Sequence, residues 1–100
     1  MFTFAPVPGQ TRADLHADLL EAALALTEGE PDGIANMANV AALLWQFLPD
    51  LNWAGFYRAV DGELVLGPFI GKPACIRIAL GKGVCGTAAA TGVTQLVPDV

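Results

Sequence analysis

Two thiols stand ten residues apart in this 100-residue chain, Cys75 in the run KPACIRI and Cys85 in GKGVCGTAAATG. The second run spells GxGxxG, so two chemistries compete for it. As a dinucleotide cradle, Gly81, Gly83 and Gly86 would follow a strand and Asp99 would fall about 20 residues from the first glycine, where a ribose-binding acid belongs. That reading fails at the crossover, because parallel strands need a dozen or more connecting residues with a real helix, and VCGTAAATG supplies about two turns. GPFIGK is no phosphate loop either, since three residues separate Gly67 from Gly71 and Pro73 takes the Ser/Thr position. As a thiol site, Cys85 would occupy the first turn of a helix with Lys82 three residues before it, and free amides beside a cation favour thiolate over thiol. Cys75 would lie in a strand near Lys72 and Arg77. For both cysteines a small buried residue is the plainer reading, and residue types alone leave the choice open.

Metal chemistry is not expected. The thiols form no CxxC pair, and only the distant His16 could assist them; His16 itself reads as a solvated helix residue. No cofactor is called for. A third feature is the alternation Trp53, Gly55, Tyr57, which places two aromatics on one face of a strand, roughly 13 Å apart with an empty step between them. A small zwitterion could sit on that glycine, or the two rings could simply pack the core.

The elements that must position these residues follow from periodicity. Thr11 with Asp14 resembles a capping box, and Leu15, Leu19, Ala22 and Leu26 recur at helical spacing, so a helix is expected over 12–28. After the EGEPDG turn, Ile34, Met37, Ala41, Leu44 and Leu48 form a second apolar stripe over 34–48, stopped by Pro49. NWAGFYRAV, Asp61-Gly62 and ELVLGPF read as a hairpin around a primed turn. Ala74 to Leu80 is strand-like, a short helix is expected near 84–91, and TQLVPD is again extended. Helices followed by strands indicate an α+β fold, with the two N-terminal helices packed on an antiparallel sheet. The chain, 1–100, reads as one domain. Because it stops straight after a strand, it reads as truncated, with the sheet incomplete at the C-terminus.

Composition narrows the class of function. With 54% hydrophobic and 15% charged residues the chain is globular rather than disordered. The net charge of −5 leaves no basic footprint for nucleic acid. No apolar run approaches the ~18 residues of a membrane span, and MFTFAPVPGQ lacks the features of a secretion signal. A cytoplasmic protein is expected, with reduced thiols.

NWAGFY at 52–57, ELVLGPFIGKPACIRI at 63–78, GKGVCGTAAATG at 81–92 and TQLVPDV at 94–100 closely resemble the free methionine-(R)-sulfoxide reductases, a GAF-domain family. The resemblance runs from about Leu15 to the last residue and covers the first two thirds of the family's length. It implies a GAF-like sheet and a reaction in which a thiolate attacks the sulfoxide sulfur of free methionine-(R)-sulfoxide and methionine leaves. The resulting sulfenic acid condenses with a second cysteine, and thioredoxin restores the thiols. Cys75 and Cys85 match the resolving or auxiliary thiols, and Trp53 and Tyr57 match aromatics that line the substrate pocket. The family's nucleophilic cysteine comes later, and no thiol follows Cys85 here. Residues 1–100 alone are therefore expected to be inactive. The alternative is a non-catalytic GAF-type module that binds a small ligand as a sensor and needs neither cysteine.

Overall fold

Helices start where a side chain can satisfy the first free amides. In the computed structural model of the chain, which describes residues 4–98, α1 spans Arg12–Thr27, and Thr11 Oγ1 accepts from the Asp14 amide at 3.1 Å. α2 spans Gly33–Phe47, with Asp32 Oδ1 accepting from the Ala35 amide at 3.0 Å. Three strands and a third helix follow among the described residues: β1, Trp53–Val60; β2, Glu63–Gly71; β3, Arg77–Ala79; and α3, Gly83–Thr91. The strands form one sheet in the order β1-β2-β3. β2 and β3 run antiparallel, with Glu63 opposite Ala79, Leu64 opposite Ile78 and Val65 opposite Arg77. The architecture is α+β, as the order of periodicities implied.

The chain divides into two compact units. One runs up to Phe56 and includes Pro68–Lys72; the other takes Tyr57–Gly67 and the chain from Pro73 on. In the first, α1 and α2 bury their apolar faces on each other through Ala22, Leu43 and Phe47, with Phe4, Leu15, Leu19, Ala23 and Leu26 packed around them. The stripe expected on α1 is the one that packs. On α2 the buried stripe is Ala41, Leu43 and Phe47, while Ile34 at the start of the expected stripe is 64% exposed. The run VAALLWQFL is apolar on several faces, so periodicity alone could not choose which face would meet α1.

In the second unit, β3 is shorter than the strand expected over 74–80. Pro73 brings no amide. The ladder begins with the Leu66 amide donating to the Ile76 carbonyl at 2.8 Å and ends at Ala79. Residues 94–98, the described part of the TQLVPD run expected as a further strand, belong to none; among the described residues no strand pairs with them, and Leu96 is 90% exposed. Asp99 and Val100 lie outside the described residues.

The helix core yields a direct check. Phe47→Ala should destabilise the protein by about 3–5 kcal/mol, the usual range for emptying a buried aromatic site. Ile34→Ala should shift stability by less than about 0.5 kcal/mol, as exposed positions do. Urea unfolding of the two variants reads both.

Candidate functional site

The sheet and α3 decide what the two thiols can do. Cys75 lies in the 72–76 loop that joins β2 to β3, and Cys85 lies in the first turn of α3. Both are exposed and neither is in a disulfide. The reading of these cysteines as small buried core residues is thereby overturned, and the strand expected to carry Cys75 is a loop at that residue.

GKGVCG is explained by local structure without a nucleotide. Gly81 and Gly83 take φ of +84° and +61°, left-handed steps that glycine takes without steric penalty. Gly86 is buried, and a Cβ there would come within 2.5 Å of the Ala79 carbonyl oxygen and 3.4 Å of Ile78 Cγ2. The first two glycines therefore turn the chain out of β3, and the third lets α3 lie directly on it. α3 has nine residues and leads into no strand among the described residues, so the βαβ crossover a dinucleotide site requires is not formed. The N-cap residue, Lys82, makes no side-chain cap, and Cys85 is the third residue of this uncapped first turn.

Tyr57 joins this unit to the thiols. Its hydroxyl donates to the Cys75 carbonyl oxygen at 2.7 Å, across 18 residues of sequence. The phenol is held above its ordinary pKa of 10.0, first by desolvation and then by the negative charge of Cys75 and Cys85 when these are ionised. Of the two thiol residues, Cys75 is the one that Tyr57 contacts directly, through its carbonyl. Arg77, two residues past Cys75, is engaged by Glu63 across the β2–β3 ladder, Nε to Oε1 at 3.3 Å.

Trp53 belongs to the other unit. It stacks on Phe69, with ring centroids 5.4 Å apart and planes 16° from parallel. The step at Gly55 is not empty. A Cβ built there would meet Phe69 Cα and Trp53 Cη2, each at 2.8 Å. The glycine is required because β2 returns so close to β1, and it offers no seat for a ligand. Of the four site residues expected from sequence, the structure therefore gathers Tyr57, Cys75 and Cys85 in one unit and leaves Trp53 in the other, stacked on Phe69. Sequence reasoning did not find Phe69, although the turn at Asp61-Gly62 already returns that part of β2 to the neighbourhood of Gly55. A cavity of about 500 Å³ lies in the first unit, lined by residues that include Trp45, Phe47 and Leu51. Among the described residues, Asp50 is the only ionisable group in its lining, and neither cysteine lines it.

No protein-family model matches the chain. A free methionine-R-sulfoxide reductase from Escherichia coli is 51% identical over 89 residues, covering 89% of this chain and 54% of the relative. A solved structure of a candidate GAF sensor protein from Burkholderia vietnamiensis superposes with a TM-score of 0.87 at 61% identity, over 90% of this chain and 57% of the other. The structure of the free methionine-R-sulfoxide reductase from Neisseria meningitidis in complex with its substrate superposes with a TM-score of 0.84 at 38% identity, over 92% of this chain and 55% of the other. The chain spans no more than 62% of the length of the curated relatives it matches.

Tyr57 is the one tyrosine among the 100 residues, so tyrosinate absorbance titrates it directly. The midpoint should lie above 10, and carbamidomethylation of both thiols, which removes their charge, should lower it part of the way back. A raised folded-state pKa means that the stability linked to this phenol is fully present below pH 10 and is lost as pH rises through the folded value. A midpoint at or below 10 contradicts the upward shift, and one indifferent to thiol blocking contradicts the contribution of thiol charge to it.

Proposed function

We propose, for a chain that is homologous over the portion it spans to the free methionine-R-sulfoxide reductases and shares their GAF fold, that the protein reduces free L-methionine-(R)-sulfoxide with Cys75 and Cys85 as resolving or auxiliary thiols. The observation that carries this reading is that two free, exposed thiols lie in one unit with Tyr57, whose hydroxyl bonds the carbonyl of Cys75. Thiols intended only to fill a core would be buried.

The chemistry balances as follows. A nucleophilic thiolate attacks the sulfoxide sulfur; with uptake of one proton the oxygen passes from that sulfur to the cysteine sulfur as the transient S–S bond breaks, so that methionine leaves reduced by two electrons and the cysteine becomes a sulfenic acid. The nucleophile is a third thiol, not among residues 1–100. A resolving thiol then displaces water from the sulfenic acid and forms a disulfide, which the dithiol of thioredoxin reduces, leaving thioredoxin oxidised. A cytoplasmic setting, where thiols are kept reduced, suits both steps. Trp53 and Tyr57 are assigned as substrate contacts on the family resemblance, each within its own unit.

A second reading is kept because one of the similar structures is that of a candidate sensor: a GAF module that binds a small ligand and performs no chemistry. Cys75→Ser in the full-length protein separates the two. The reductase reading expects one equivalent of methionine per chain without reductant, and loss of thioredoxin-supported turnover by tenfold or more. No methionine from the unsubstituted protein under either condition decides for the sensor.

A further inference from the structure

The resemblance assigns the ring of Tyr57 and leaves its hydroxyl without a task. That hydroxyl lies 2.7 Å from the Cys75 carbonyl oxygen, at the optimum for an O–H···O bond. The 72–76 loop leaves β2 at Gly71 and is secured again where the Leu66 amide donates to the Ile76 carbonyl at 2.8 Å. Between these two anchors, the bond from Tyr57 falls on the peptide of the thiol residue itself. A carbonyl is joined to its own Cα through one bond, so fixing it restricts the direction in which the Cβ and sulfur of Cys75 can point. Tyr57 is itself held by β1, which runs Trp53–Val60.

We infer that the Tyr57 hydroxyl is a positioning group for the thiol chemistry: by holding the carbonyl of Cys75 it restrains an exposed loop and presents the Cys75 sulfur to the sulfur it must resolve. The inference rests on the reading of Cys75 as a resolving thiol. It follows from the chemistry of that step. Attack on a sulfenic acid needs the thiolate in line with the S–O bond that breaks, the oxygen taking up one proton and leaving as water. A sulfur on an unrestrained loop must find that geometry anew each time, whereas a tethered one reaches a higher effective concentration. Exposure makes Cys75 available to its partner and to a reductant, and it also deprives the residue of packing that would orient it. The bond from Tyr57 supplies orientation where packing does not. Cys85 differs: it is set by helix α3, whose place on β3 is fixed at Gly86.

Tyr57→Phe keeps the ring and removes only the donor. In the full-length protein, one equivalent of free methionine-(R)-sulfoxide is added without reductant, samples are acid-quenched, methionine is measured by chromatography, and free Cys75 is measured by alkylation and peptide mass. The ratio of the rate of Cys75 loss to the rate of methionine release should fall about 3- to 10-fold in the variant, the effect of one net hydrogen bond. A general structural weakening would slow both rates together and leave the ratio unchanged, and an unchanged ratio overturns the inference. Hydrogen exchange of the reduced protein should show faster exchange across 72–76 in the variant, and equal exchange there also overturns it. An unsubstituted protein that releases no methionine overturns the reductase reading and the positioning role with it, and this is read before the variant is compared.

Discussion

At Asp61 and Gly62 the backbone takes φ of +49° and +81°, the two left-handed steps that a type I′ turn needs, and the chain is folded back so that β1 and β2 pair. Much of the rest depends on that closure. It brings Phe69 onto Trp53 and makes a side chain at residue 55 untenable. It also gives β2 a free edge to which β3 adds, with Arg77 drawn to Glu63. The 72–76 loop exists only because β2 must reverse into β3, and that loop carries Cys75. A hairpin whose strands were joined by another turn type would splay, and Tyr57 on β1 would lose its partner on the loop.

The parts of this arrangement that were legible in sequence are those set by local rules. The capping side chain at Thr11, the primed turn, the stop of α2 before Pro49 and the shortness of α3 each depend on a few neighbouring residues. What was not legible depends on contacts distant in sequence. Whether Leu43 and Phe47 or Ile34 and Leu48 face α1 is decided by the partner helix, since α2 is apolar on several sides. The plainer reading of the cysteines as buried failed because residue type carries no information about which side of a loop is covered. The bond from Tyr57 to the Cys75 carbonyl spans 18 residues and leaves no trace in periodicity. Alternation correctly placed Trp53, Gly55 and Tyr57 along one strand. It could not show that the space over Gly55 is taken by Phe69, a residue of the returning strand.

The glycine run illustrates how a motif can match in spelling and differ in physics. GxGxxG in a dinucleotide fold works because a long helix and a parallel strand follow it, so that helix amides and the turn face a pyrophosphate. Here Gly81 and Gly83 turn the chain, Gly86 admits α3 to β3, and the helix ends after nine residues. The same packing places Cys85 in an exposed first turn. The residues that would have built a phosphate cradle instead hold a thiol in the unit that contains Cys75 and Tyr57.

The central claim, that these thiols belong to a chemistry specific for one sulfoxide, is tested most directly by counting thiols. The reduced full-length protein is mixed without reductant with one equivalent of free methionine-(R)-sulfoxide, of the (S) epimer, or of a peptide carrying the sulfoxide, and free thiols are then assigned by peptide mass. The account predicts that only the free (R) compound consumes two thiols per chain, Cys75 among them, with one methionine released. Equal consumption by the (S) epimer, or Cys75 remaining fully alkylatable while methionine is released, would contradict it.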